Sequence, residues 1–129
     1  MAQILLVGED WKTRALLRAQ LIEEGLDVEA HKSVSAALRD SQDAALLPWL
    51  VVADVSASGD PARELDELAR WSNRIPVWVI ASRSATDEKS LQGRGFEAVL
   101  FRPLDLGHLV EQIKQRVART QYLTSGLEI

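Results

Sequence analysis

The chain has 129 residues, a formal net charge of −4 and no cysteine. Its length and its 47% of hydrophobic residues suffice for one domain with a core of its own, and the lack of cysteine excludes disulfide frameworks and thiol nucleophiles. The acidic balance gives no general attraction to nucleic acid, and no apolar run is long enough to cross a membrane. We therefore expect a soluble cytoplasmic protein that binds neither nucleic acid nor a membrane directly.

In the first half of the chain, apolar runs predict three strands separated by two helices. Residues 4–7 form the first run, residues 27–30 alternate polar and apolar as an edge strand does, and residues 49–53 form the third run. A helix is predicted from about residue 11 to Gly25, and Ser33 is placed to cap a second, short helix. A connection rich in Ser, Asp and Ala then leads to the third strand.

The second half of the chain predicts two more strands. Asp60 followed by Pro61 is typical of a helix start, because Asp accepts from free amides and Pro fits the first turn. Residues 77–81 are apolar on both faces, as in a strand covered by helices on both sides. Residues 98–101 form the fifth apolar run.

The last two helices differ in how much apolar area they can bury. The fourth helix, after Asp87, meets Gly93 and Gly95 within a few residues, so we expect it to be the least stable element. Asp105 is placed to cap a long final helix with helical spacing of its apolar residues, namely Leu106, Leu109, Val110, Ile113 and Val117. The pattern predicts one domain over residues 1–120 and a C-terminal tail or linker over residues 121–129.

Five strands that alternate with five helices predict an α/β domain with a parallel sheet. Charged residues follow three of these strands: Glu9 and Asp10 after the first, Asp54 after the third and Arg102 after the fifth. The carboxyl ends of parallel strands meet at one edge of the sheet, where α/β domains bind their ligands. We therefore expect three acids and one guanidinium to share a crevice.

This ordered set of residues resembles the receiver domain of two-component response regulators over residues 3–119. The resemblance implies the flavodoxin-like doubly wound fold, with five parallel strands in the order 2-1-3-4-5 and five helices. It implies that Asp54 accepts a phosphoryl group and that Glu9, Asp10 and Asp54 hold Mg²⁺, a cation that prefers hard oxygen ligands. Arg102 would be the cation that contacts the phosphoryl group.

The resemblance also implies partners and limits on activity. A histidine kinase or a phosphotransfer protein would supply the phosphoryl group in a phosphorelay. An output protein would bind the face formed by the fourth helix, fifth strand and fifth helix. The domain would not be an enzyme beyond catalysing its own phosphoryl transfer and hydrolysis.

Four departures from the family's pattern all lie among the residues that, in the family, contact the phosphoryl group or change conformation when it is bound. Ala81 stands where the family has a Thr or Ser hydroxyl, and Ser82, one residue later, is a candidate substitute. Arg102 replaces the usual lysine, and a planar guanidinium can hold Asp54 through two hydrogen bonds before any phosphoryl group arrives. Val99 stands where a switching aromatic is common, and the loop after Asp54 lacks the usual proline.

Three functions remain open at this point. The chain is either an atypical receiver that signals through protein contacts and accepts a phosphoryl group on Asp54, or a pseudo-receiver that binds proteins independently of phosphorylation. The third function, a flavodoxin-like domain that binds a nucleotide or flavin, is the weakest, because Gly8 stands alone after the first strand and forms no glycine-rich phosphate loop.

Overall fold

The computed structural model describes residues 2–40, 47–84 and 86–127, and its centre is one five-stranded sheet. The strand order is β2-β1-β3-β4-β5, and every neighbouring pair is parallel. The predicted fold class and strand order are thereby confirmed. The strands are β1 (Ile4–Gly8), β2 (Val28–His31), β3 (Leu50–Asp54), β4 (Val77–Ala81) and β5 (Ala98–Phe101).

Five helices alternate with the strands and cover both faces of the sheet. Residues of α1 and α5 pack on one face, and residues of α2, α3 and α4 pack on the other. The helices are α1 (Trp11–Glu23), α2 (Val34–Asp40), α3 (Pro61–Trp71), α4 (Glu88–Leu91) and α5 (Leu106–Leu127).

The central strands are apolar throughout because both of their faces are buried. In β3, Val51 and Ala53 pack toward α2, α3 and α4, whereas Leu50 and Val52 pack toward α1 and α5. All four side chains are almost fully excluded from solvent. Burying a side chain of this size stabilises a fold by roughly 1.5 to 3 kcal/mol. The two layers therefore hold the strand ends in a fixed register.

Several helix starts carry the predicted caps. The side-chain oxygens of Ser33, Asp60 and Asp105 accept from the backbone N–H three residues later, at 3.1, 3.3 and 3.0 Å. Asp10 holds the same position before α1, but its side chain makes no cap hydrogen bond. Its carboxylate is therefore available for contacts elsewhere.

The fourth and fifth helices differ most from each other in length. The α4 helix has four residues, of which only Leu91 is buried, and both Gly93 and Gly95 after it have positive φ angles, of 73° and 85°. In contrast, α5 continues past Thr120 to Leu127, so a helix occupies most of the predicted tail. Residues 128 and 129 of that tail lie outside the described residues, and the boundary at residue 120 stays a prediction.

Within the described ranges, no helix is both long enough and apolar enough to span a membrane.

Candidate functional site

Asp54 is the last residue of β3, and it lies opposite Gly8, the last residue of β1. A Cβ atom on Gly8 would stand 3.3 Å from the Cβ of Asp54, so glycine keeps this approach open. The Asp54 side chain is buried. Its Oδ1 accepts hydrogen bonds from the Ser56 N–H at 3.0 Å and from the Ser56 hydroxyl at 2.5 Å. The loop after β3 thus fixes one oxygen of this carboxylate.

Arg102 brings a positive charge to the other oxygen. Its backbone N–H donates to the Ala81 carbonyl at 3.0 Å, which places it beside the end of β4. Its Nη2 lies 2.5 Å from Asp54 Oδ2 and 3.3 Å from Asp10 Oδ2. A single guanidinium nitrogen therefore bridges two carboxylates. The contact with Asp54 agrees with the expectation from the guanidinium, but it is made by this one nitrogen and not by a two-pronged pair.

Thr13 completes the cluster, and the sequence reasoning missed it. Its hydroxyl donates to Asp10 Oδ2 at 2.8 Å and accepts from Arg102 Nη2 at 3.0 Å. The pKa of Asp10 is lowered, first by the hydrogen bond from the Thr13 hydroxyl and then by nearby backbone N–H groups and the Arg102 charge. Burial acts in the opposite direction but does not outweigh them. Residues three positions apart share a helix face, so the spacing of Asp10 and Thr13 was the signal that could have found it.

Two of the three predicted metal ligands, Asp10 and Asp54, come together, and the third, Glu9, does not join them. Asp10 and Asp54 both contact Arg102, and Glu9 is exposed and takes part in none of the described hydrogen bonds or ion pairs. Burial first, and to a smaller extent the charge of Glu9, raises the pKa of Glu64 on α3. Across the described residues, no three Asp, Glu or His side chains are placed to hold a metal ion.

The residues present therefore do not fit the predicted Mg²⁺ site. The physical reason is that the Arg102 nitrogen stands between Asp10 and Asp54, where a shared cation would be bound. Two carboxylates that would repel each other are already bridged by a positive charge within the chain.

Little free space remains beside these side chains. The crevice lined by Asp10, Thr13, Arg14 and Asp54 has a volume of about 10 Å³, close to the minimum that one water molecule needs. The Arg14 guanidinium donates to the Gly8 carbonyl and so ties α1 to the end of β1. A phosphoryl group would enter only after side chains moved.

Neither residue at the end of β4 brings a hydroxyl to this cluster. Ala81 is fully buried in the core layer under α2, α3 and α4. The Ser82 hydroxyl is 2.7 Å from the hydroxyl of Ser84 in the following loop. No described hydrogen bond joins Ser82 to Asp54 or Arg102, so the structure does not place it as the substitute hydroxyl.

The neighbouring surface beside α4 and β5 is aromatic and open. Arg83 lies over the ring of Phe101, 4.4 Å from its centre, and its Nε is 3.1 Å from Glu88 Oε1. A cavity of about 360 Å³ opens next to this stack, with Phe96 and Val99 in its wall. The Arg83 side chain is thus held on the α4 and β5 side, where it contacts an aromatic ring and a carboxylate.

No protein-family model matches the chain, and no curated protein matches it in sequence. Solved structures match it over nearly its whole length. A response regulator receiver domain protein from Clostridium thermocellum has a TM-score of 0.73 at 18% identity, and the match covers 95% of this chain and 99% of that one. The signal receiver domain of a putative Luxo repressor protein from Vibrio parahaemolyticus has a TM-score of 0.73 at 18% identity, with 99% and 98% covered.

A third match is to NtrX from Brucella abortus in complex with ADP, with a TM-score of 0.71 at 25% identity. It covers 98% of this chain but 28% of NtrX, so the chain corresponds to one region of that longer protein. The two receiver domains, in contrast, match from end to end. The chain therefore has the fold of the receiver domains of two-component response regulators.

Proposed function

We propose that the chain is a receiver-like signalling module that acts through protein contacts and does not depend on phosphorylation of Asp54. The observation that carries this proposal is the Arg102 nitrogen that lies 2.5 Å from Asp54 and 3.3 Å from Asp10. Hydrogen bonds and a paired cation draw electron density from a carboxylate oxygen and so make it a weaker nucleophile toward phosphorus. Here one oxygen of Asp54 is held by Ser56 and the other by Arg102.

Displacing Arg102 would cost more than opening an exposed ion pair. The Asp54 side chain is 6% exposed and that of Arg102 is 31% exposed. Removing one partner from a buried pair leaves an uncompensated charge, which costs roughly 3 to 5 kcal/mol in well-buried cases. An incoming phosphoryl group would then add negative charge to two carboxylates that share one cation. Phosphorylation of Asp54 would therefore require the favourable ion pair between Asp54 and Arg102 to be broken first.

The end of β4 weakens the phosphorylation chemistry further. Receiver-type transfer needs a donor that hydrogen-bonds the bound phosphoryl oxygens, and Ala81 has no donor in its side chain. The side chains of Asp10, Thr13, Asp54 and Arg102 are already joined by hydrogen bonds to one another. In our proposal this cluster holds the domain in one state and takes no part in catalysis, so the protein is not an enzyme.

The surface proposed for the output protein is the face formed by α4, β5 and α5. Support comes from the half-buried side chains of Phe96, Val99 and Phe101 and from the cavity of about 360 Å³ between them and α4. Such a cavity offers an apolar anchor site for a side chain of a partner protein. A histidine kinase or phosphotransfer protein is a required partner only in the alternative, where Asp54 is the phosphoacceptor and Arg102 contacts the phosphoryl group.

Incubation with acetyl phosphate and Mg²⁺, followed by intact-mass measurement, separates the two functions. We expect no phosphoryl adduct on the wild-type chain. The double variant Arg102→Lys with Ala81→Thr restores the compact cation and the hydroxyl, so it should gain an adduct that a further Asp54→Asn change removes. A stoichiometric adduct on the wild type, absent from Asp54→Asn alone, would overturn the proposal and establish the phosphoaccepting receiver.

A further inference from the structure

Helix α1 exposes apolar side chains on the face opposite the core. The described surface has three large apolar side chains that are exposed, and all three lie on this helix: Trp11 at 63%, Leu16 at 51% and Ile22 at 44%. Leu17 and Leu21 on the other face are buried. Helix α1 is therefore apolar on two sides, whereas a surface helix ordinarily has one apolar face.

Two of these residues, Trp11 and Ile22, define a stripe along the helix, and Leu16 lies about 120° to 140° around the axis from them. Trp11 and Ile22 are eleven positions apart, which places them within about 20° of each other around the helix axis. The exposed Ala15 and Ala19 lie between them on one side of this stripe, and the exposed Arg18 lies between them on its other side. The two alanines leave room for a second helix to lie close along their side of the stripe.

The charges of α1 run against its dipole. Lys12 is exposed in its first turn and Glu23 is exposed at its end, with no acidic residue in the first turn and no basic residue in the last. A helix dipole favours the reverse order, so this arrangement does not stabilise the helix itself. Glu24, next to Glu23, is already paired with Lys114 at 2.9 Å.

We propose that two copies of this chain associate through α1, with the two helices antiparallel about a two-fold axis. Trp11 of each copy would contact Ile22 of the other, and Lys12 would pair with Glu23 of the other. In an antiparallel pair, the basic start of each helix lies beside the acidic end of the other, so the charges attract. The two-fold axis makes the Lys12–Glu23 contact occur twice. This is why a second copy fits the stripe better than a partner without that charge pattern.

The interface is small and stands apart from the other proposed surfaces. One helix face buries less than the roughly 800 Å² per partner of a standard interface, so the association should depend on concentration. The α4, β5 and α5 face is formed by other elements and remains free. The proposal does not rest on whether Asp54 is phosphorylated.

Sedimentation equilibrium of the chain and of two charge variants tests the pairing. The wild type should show a monomer–dimer equilibrium. Lys12→Glu and Glu23→Lys should each weaken the dimer by about tenfold or more, because each creates two like-charge contacts. Both changes improve the match to the helix dipole, so loss of folding is not a competing explanation.

An equimolar mixture of Lys12→Glu and Glu23→Lys is the decisive sample. Each heterodimer would have two opposite-charge contacts, so association should return to the wild-type level. Lys89→Glu on α4 makes the same charge change elsewhere and should leave the wild-type dimer intact. A monomeric wild type, or a mixture that associates no better than the separate variants, would overturn the proposal and assign the stripe to another partner.

Discussion

Replacing Arg102 with methionine removes the positive charge between Asp54 and Asp10 while keeping an unbranched side chain. Unit charges about 4 Å apart interact by roughly 4 kcal/mol at the effective dielectric of a protein. The Arg102 side chain is 31% exposed, and Asp54 keeps its two hydrogen bonds from Ser56, so part of this energy is screened or replaced. We expect the free energy of unfolding to fall by about 2 to 3 kcal/mol.

Urea denaturation followed by tryptophan fluorescence measures this change. With a slope of about 2 kcal/mol per molar urea, the midpoint should fall by roughly 1 to 1.5 M. Adding Asp54→Asn to Arg102→Met should recover most of the loss, because a neutral amide needs no counter-charge. The exposed Arg70→Met serves as control and should stay within about 0.5 kcal/mol of the wild type. An Arg102→Met protein as stable as the wild type would refute the inferred ion pair.

Two further substitutions test contacts outside the Asp54 cluster. Glu97 accepts from Trp78 Nε1 at 2.7 Å and from Arg116 Nε and Nη2 at 2.8 and 2.9 Å, so Glu97→Gln should cost about 1 kcal/mol near neutral pH in urea denaturation. The Arg116 hydrogen bonds, and then that of Trp78, lower the pKa of Glu97. The wild type should therefore have a higher free energy of unfolding than Glu97→Gln at pH values above the ordinary Glu pKa. This difference should vanish as the pH falls through the lowered pKa of Glu97. A difference that persisted unchanged in strong acid would contradict this. Gly95 has a φ of 85°, and a Cβ atom there would stand 3.0 Å from Ser72 Oγ. Gly95→Ala should therefore destabilise the fold by about 1 to 2 kcal/mol and lower the thermal midpoint. An unchanged midpoint would argue against a strained position.

The sheet could be predicted because its strands have simple local patterns. Residues 77–81 form an uninterrupted apolar run, and in the structure they are the strand Val77–Ala81 with both faces buried. The end of the last helix could not be predicted in the same way. The stretch predicted as a tail contains Gly126, but a single glycine costs a helix only about 1 kcal/mol, and α5 continues to Leu127.

The site was predictable only where backbone position decides the contact. Asp54 and Arg102 meet because the sheet brings the ends of β3 and β5 to the same edge. Side chains in the turns depend on competing local partners, which no strand pattern encodes. Asp10 hydrogen-bonds Thr13, its neighbour Glu9 stays exposed, and Ser82 contacts Ser84.

Titration with Mg²⁺ tests the position of the Arg102 guanidinium most directly. The backbone amide NMR signals of residues 8–14 and 54–56 would be followed in the wild type and in Arg102→Met. We expect no saturable shift in the wild type, because Arg102 already bridges Asp10 and Asp54. In Arg102→Met the two carboxylates are free to hold a hard cation, so a saturable shift in roughly the millimolar range should appear. Saturable shifts of equal affinity in both proteins would contradict the account.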